Sequence, residues 1–526
     1  MNNNRLHVHI KKWTYTKNFK FPEEEHIPIE KKNVGIAFSG GGNRSAPLTI
    51  GYLRALHHFD LIKYVKYQSS VSGGAWAGIP YTFLDPSIED EQFLGEFKAP
   101  EKLSFKDIQD VKDFSFTSAV AETRILDDFL KNLDKGDEIF AKVLSNVYLT
   151  PFLLGETRKL FTLNQASLET IQSKNSGLMS YDFYTVAKDR PYLIVNSVLS
   201  RSNPLKVRRY PFEITPLYCG IPSYHKNKGS WGKFDIGGGY VESFGFDSDA
   251  PQDASEDGHV QVRLNKDINR FGLGDVMAAT GSALGEYTDR FFPLNPGFPE
   301  FKHWSPKNPE RAKEYDFVDG GYLDNTGVIA LLRRKVERII VFVNGSTGLN
   351  PIDSKNDGVS NMIRLLFKKE NHLSARDFSG NIVLKEVGDT KPEESYDRLA
   401  EELRKLHAEG RPAVSVRKYK TVANKLYAIE GGFEVEIMWV HNGFSNAWLN
   451  TIQDPVLKRY ILEQRKDHNF PDFSTFFTNG AKVIDLDVEQ SNLMAHYASH
   501  VIYVLQDTFK RFISGDAVLE EDAVIS

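Results

Sequence analysis

The chain has 526 residues, with 41% apolar and 26% charged side chains, a composition that buries a core and excludes a disordered polymer. Lys and Arg number 65 against 70 Asp and Glu, a formal net charge of -5, which excludes wholesale nucleic-acid binding as a main function. A single cysteine, Cys219, excludes an internal disulfide and points to a reducing compartment.

The first 32 residues are polar and charged and read as an extended lead-in with no apolar core of a secretory signal. No stretch reaches the roughly 18 apolar residues of a membrane span; the run 141–155 is too short and is broken by Pro151. The expectation is a cytoplasmic protein, at most adsorbed to a membrane surface.

Val34–Phe38 is the first strand signal, and Gly40, Gly41 and Gly42 follow it. Leu48, Tyr52, Leu53, Leu56 and Phe59 then recur at helical spacing. Tyr67–Val71 is a second strand that ends in Ser72–Gly73–Gly74, with a helix expected after it. Strand, helix, strand, helix within about forty-five residues predicts parallel strands joined by a crossover.

Residues 85–190 read as a mostly helical insertion or cap, including 120–135. Strand signals return at Pro191–Asn196 and Phe212–Thr215, and the acidic run 245–258 reads as a loop. A helix is expected over 274–284, then a strand through Phe317–Val318–Asp319, a helix through 330–336 and a strand at Arg338–Val343. Residues 384–412 read as a solvated charged helix with flanking loops, and 491–512 as an amphipathic helix. The fold class that follows is α/β, a three-layer sandwich with a mostly parallel central sheet. Its parts are the lead-in 1–32, a core 33–345 holding the insertion, and an extension 346–526 packed on that core.

A strand that ends in glycines and enters a helix exposes backbone N–H groups that bind an anion or a transient oxyanion. A nucleotide P-loop needs Gly-Lys-Ser/Thr, and Asn43–Arg44–Ser45 does not supply it. A dinucleotide fingerprint lacks its third glycine, because Ser45 stands there, and Asp60 is wrongly placed for a ribose. An oxyanion hole and a structural tight turn remain open from the run alone.

Ser72 sits where the second strand turns into a helix, which exposes its hydroxyl; Gly73 and Gly74 leave room for an acyl group. Adjacent strand ends of a βαβ unit bring the glycine run and Ser72 to one sheet edge. His57 and His58 are the histidines nearest in sequence, but they fall near the far end of the first helix. A carboxylate can serve as base if burial raises its pKa, and Asp319 lies at a strand end with Gly320 and Gly321 beside it. On composition Asp324 and Asp316 are equal candidates. Cys219 has no histidine close in sequence and reads as a buried structural cysteine.

VGIAFSGGGNRSA, SSVSGGAW and FVDGGYLDN, in this order, resemble the patatin-like and group IV cytosolic phospholipase A2 superfamily. FEITPLYCG, GGGYVESFGF and GDVMAATGSAL look like segments of its cytosolic phospholipase A2 and lysophospholipase B branch, and NFPDFSTFFTNG resembles it more faintly. The resemblance covers roughly residues 33–345. It implies a lipid acyl hydrolase of phospholipase or lysophospholipase type, with a Ser–Asp dyad and no histidine, metal or cofactor in the catalytic step. It makes Ser72 the nucleophile and Asp319 the base. Gly41, Gly42 and Gly73 become oxyanion donors, and Arg44 a contact to a lipid phosphate or to the loop itself. The implied partners are a phospholipid or lysophospholipid and a peripheral membrane surface. An acyltransferase with the same dyad, or an inactive lipid-binding protein, fits the same motifs. Two departures stand out: Ser70 occupies the usual glycine position before the nucleophile, and about thirty residues leave no room for a preceding calcium-binding C2 domain.

Overall fold

The structure is a computed structural model that describes residues 5–14, 19–121, 139–201, 208–229, 232–252, 258–264, 270–282, 299–349, 358–368, 381–473 and 486–516. Most of the helix expected at 120–135, part of the 245–258 loop, and the end of NFPDFSTFFTNG lie outside the described residues.

The strands run in chain order as β1 (Arg5–Lys12), β2 (Lys32–Phe38), β3 (Val65–Val71), β4 (Leu160–Thr162), β5 (Phe183–Thr185), β6 (Tyr192–Arg201), β7 (Arg208–Ile214) and β8 (Tyr218–Gly229). They continue as β9 (Gly232–Glu242), β10 (His259–Arg263), β11 (Glu300–Ser305), β12 (Asn308–Asp319), β13 (Arg338–Val343), β14 (Leu384–Glu386), β15 (Ala413–Thr421) and β16 (Glu434–His441). Fourteen of them form one sheet with the order β10-β1-β9-β8-β7-β6-β3-β2-β13-β16-β15-β14, and β12 also pairs with β6.

The middle five strands, β6, β3, β2, β13 and β16, are mutually parallel. The flanks are antiparallel: β7, β8, β9, β1 and β10 on one side, β15 and β14 on the other. The expected α/β sandwich is present, and its sheet is mixed.

Strands buried on both faces read as nearly continuous apolar runs, with successive residues on opposite faces. Val34, Ile36, Phe38, Ile340, Phe342, Met438 and Val440 join one core. Their alternates Ala37, Ile339, Val341, Val343, Ile437 and Trp439 join the other. Helices α1 (Gly42–His58) and α2 (Gly73–Thr82) cover the first face. The helices Val328–Arg333 and Pro392–Ala408 cover the second.

Leu48, Tyr52, Leu53 and Leu56 are buried as their spacing predicts. α1 is nevertheless buried almost all round, because the helix Val488–Val504 lies over it. At Gly51 a Cβ would stand 2.1 Å from the Ala495 carbonyl oxygen, so glycine sets this close approach. The helix expected at 491–512 is two helices, Val488–Val504 and Gln506–Ser514.

Three expectations change. The lead-in contains β1, inserted between β9 and β10, because Leu6, Val8 and Ile10 point into the core while the residues between them face outward. The extension 346–526 does more than pack on the core: β16 lies directly beside β13 and carries apolar residues on both faces. The strand ending at Asp319 is antiparallel to β6, so the parallel pattern resumes only at β13. Within 85–190 the described elements are mostly helical, as expected, with β4 and β5 as a small separate pair.

Candidate active site

β2 ends at Phe38 and β3 at Val71, neighbouring parallel strands whose last paired residues are Phe38 and Ser70. The chain leaves β2 through Ser39–Gly41 into α1, and leaves β3 through Ser72 into α2. Ser72 holds φ 48° and ψ -126°, a conformation that costs a non-glycine residue energy and turns its side chain out of the strand. Its carbonyl accepts the Ala75 and Trp76 amides, so the first turn of α2 begins behind it.

Gly73 and Gly74 are required by packing. A Cβ on Gly73 would lie 2.1 Å from the Gly42 oxygen, and one on Gly74 would lie 2.7 Å from the Phe38 oxygen. The two turns therefore touch backbone to backbone, with positive N-terminal ends of two helices converging on Ser72. Gly42 itself has φ 56°, the left-handed region that favours glycine.

The glycine turn is braced from behind. The Ser45 hydroxyl donates to the Ser39 carbonyl at 2.6 Å. The Asn344 backbone N–H donates to Ser39 Oγ at 2.8 Å, and its side chain donates to Ser45 Oγ at 2.9 Å. The Gly40 amide is taken by the Asn325 carbonyl. The expected donors Gly41, Gly42 and Gly73 follow that amide in the two touching turns.

The Ser72 hydroxyl donates to Asp319 Oδ2 at 2.7 Å, and Asp319 Oδ1 accepts the Gly321 amide at 2.7 Å. Both side chains are buried. Burial pushes the Asp319 carboxyl up to about 6, against the lowering effect of its hydrogen bonds from Ser72 and Gly321. It remains ionised at neutral pH and is a better proton acceptor than a carboxylate in water.

The other carboxylates are employed elsewhere. Asp324 Oδ1 accepts from the Thr326 amide and hydroxyl, and Oδ2 accepts from the Ile329 amide, so Asp324 holds the start of the helix Val328–Arg333. Asp316 lies three residues back within β12, paired to Ser200 and Glu300. His57 lies 3.3 Å from Asp90, and His58 stacks on Phe97. His57 is fifteen residues along α1 from Gly42, roughly 22 Å at about 1.5 Å per residue. Cys219 is fully buried, and burial pushes its thiol well up, which leaves it unreactive.

Arg44 is not laid out as a phosphate contact. It is 4% exposed, its Nε donates to the Asn344 carbonyl at 3.0 Å, and its Nη1 donates to the Phe473 carbonyl. Burial lowers its pKa to about 10, partly offset by Asp472. Of its two expected roles, the structure favours bracing the loop.

Ser70 is accommodated from α2. Its hydroxyl accepts from Gln68 Nε2 and faces Gly78, where a Cβ would come within 2.9 Å of Ser70 Oγ. The glycine absent before the nucleophile is in effect moved one layer away.

Asn196, Thr280, Asn325 and Asn344 surround the two strand ends and escape any reading by periodicity or spacing. Thr280 falls in GDVMAATGSAL, so only resemblance touched it. Among the described residues, no group of three or more His, Cys, Asp or Glu side chains is placed to hold a metal ion. No described helix is long and apolar enough to cross a membrane.

No curated protein matches the chain at a significant level. Human GIVD cytosolic phospholipase A2 is similar in structure at 13% identity and TM-score 0.42, over 93% of this chain and 61% of that one. The same human protein in complex with methyl gamma-linolenyl fluorophosphonate aligns at 13% identity and TM-score 0.41, over 92% and 59%. VipD from Legionella pneumophila aligns at 15% identity and TM-score 0.15, over 39% and 42%. The chain thus spans about three fifths of the length of the human structures. The family profile described as patatin-like phospholipase matches residues 36–332, more than half of the chain, and the protein therefore belongs to the patatin-like phospholipase family.

Proposed function

We propose that this protein is a phospholipase or lysophospholipase that cleaves carboxylic esters of lipids with Ser72 as nucleophile and Asp319 as base. The observation that carries this reading is the 2.7 Å hydrogen bond from the Ser72 hydroxyl to a buried, ionised Asp319. Family membership supplies the substrate class, a lipid ester.

In the first half-reaction Asp319 takes the Ser72 proton as Oγ attacks the ester carbonyl. The amides of Gly41, Gly42 and Gly73 stabilise the oxyanion; one such donor is typically worth about 2.7–4 kcal/mol. The proton passes to the leaving alcohol, and the acyl group stays on Ser72. In the second half-reaction Asp319 takes a proton from water as it attacks the acyl-enzyme carbonyl, and returns that proton to Ser72 Oγ as the bond to the acyl group breaks and the fatty acid leaves. A carboxylate does here what a histidine does in the commoner triads, because burial has raised its basicity.

A fluorophosphonate probe tests this directly. The wild type is labelled at Ser72 and Ser72→Ala is not. Labelling that survives in Ser72→Ala overturns the reading.

A further inference from the structure

Ser72 and Asp319 are held together by more than the sheet. The segment Thr280–Ser282, at the end of the helix Leu273–Gly281, bonds to both of them. The Ser72 amide donates to Thr280 Oγ1 at 3.0 Å. The Thr280 hydroxyl in turn donates to the Asn196 carbonyl of β6 at 2.6 Å. The Gly320 amide donates to the Thr280 carbonyl at 3.2 Å, and the Asp319 amide to the Ser282 carbonyl at 3.3 Å.

Thr280 is wholly buried, and its hydroxyl has one proton, committed to Asn196. A lone pair is therefore left facing the Ser72 amide. One side chain thus pins the backbone that carries the nucleophile, at φ 48°, to the strand that both partners share. Its main chain pins the residue after the base. The bond also has a consequence for the oxyanion. The Ser72 N–H points at Thr280, so Ser72 itself is not among the donors for a developing negative charge, which come from Gly73 and the neighbouring glycine turn.

We propose that Thr280 is a positioning residue of the dyad, an inference that rests on Ser72 and Asp319 acting as proposed above. It sets the Ser72 hydroxyl on Asp319 through the Ser72 amide and makes no contact with substrate. Misplacing a reacting group by about 1 Å costs about 100-fold in rate. A valine keeps the shape of threonine without the hydroxyl; a serine keeps the hydroxyl without the methyl.

The test compares wild type, Thr280→Val, Thr280→Ala and Thr280→Ser on a short-chain p-nitrophenyl ester and a fluorophosphonate. In Thr280→Val, kcat and the labelling rate fall about 10- to 100-fold while KM stays within about twofold. Thr280→Ala shows the same split and stands in if the valine variant does not fold. Thr280→Ser recovers kcat to within about threefold. A folded valine or alanine variant with normal kcat, a loss confined to KM, or a serine variant no better than valine overturns the proposal. In the wild type the Ser72 amide is protected from hydrogen exchange; rapid exchange there overturns it as well. Ser72→Ala separates the two levels of failure. If it takes label, the nucleophile is wrong; if it does not and Thr280→Val is normal, only the role of Thr280 falls.

Discussion

Ser72 and Asp319 lie 247 positions apart and meet across 2.7 Å because their strands run toward each other along β6. β3 is parallel to β6 and its last residue, Val71, pairs with Asn196. β12 is antiparallel to β6 and its last residue, Asp319, pairs with the next residue, Ser197. The two carboxyl ends therefore abut on one shared neighbour, and the nucleophile and the proposed base extend from them.

Exchange of Asp319 separates catalysis from stability. Asp319→Asn lowers kcat by about 10²- to 10⁴-fold, the range for a lost general base. Asp324→Asn instead weakens the start of the helix Val328–Arg333, at about 1–2 kcal/mol of unfolding free energy, and keeps most activity per folded molecule. Steady-state kinetics with denaturant titration distinguishes these. An active Asp319→Asn beside a folded, inactive Asp324→Asn would move the base to Asp324.

Activity rises with pH through about 6, where Asp319 loses its proton, and levels off at neutral pH. The same shift has a stability counterpart. Asp319 is raised from 3.8 to about 6, so between these values the folded state binds more protons than the unfolded chain. Its contribution to stability is full below 3.8 and is lost as pH rises through about 6. Holding the carboxylate ionised at pH 7 costs about 3 kcal/mol, and Asp319→Asn accordingly melts no lower than wild type at pH 8. A pH–rate profile with midpoint near 4, or a strongly destabilised Asn variant, contradicts this account.

Gly73→Ala destroys the site through backbone contact. Its Cβ would stand 2.1 Å from the Gly42 oxygen, and neither main chain can yield without breaking a turn. The expected result is lost fluorophosphonate labelling with a lowered melting temperature. Gly177→Ala is the control, since nothing lies within 4 Å of its Cβ.

Arg44→Lys tests what the buried guanidinium does. A lysine cannot reproduce the two-carbonyl fork to Asn344 and Phe473, so the variant loses stability and loses activity equally on phospholipid and on a neutral p-nitrophenyl ester. A folded variant that loses only phospholipid activity would return Arg44 to the phosphate.

Several features are legible in the amino-acid sequence alone. Val34–Phe38, the glycine run, the following helix and Tyr67–Val71 announce themselves by apolar runs, helical spacing and glycine chemistry. These are local properties of consecutive residues. The turn at Ser72 is local too, because Gly73 and Gly74 follow it directly. β1 and β16 are not evident in the sequence because the lead-in is polar overall and the apolar run of β16 is short; β1 gains meaning only beside β9 and β10, and β16 only beside β13 and β15.

By itself, then, the sequence determined the parallel pair β2 and β3, the position of Ser72 after β3 and the family. It left Asp319, Asp324 and Asp316 equal as chemistry, because a carboxylate carries no mark of its partner. Only the tertiary structure gives them different surroundings, by ending β12 opposite β3 on β6, burying Asp319 against Ser72, and engaging Asp324 with Thr326 and the Ile329 amide. Thr280, Asn344 and the inward turn of Arg44 belong to the same class. Their roles come from long-range hydrogen bonds, which depend on the register of distant strands rather than on any spacing along the chain.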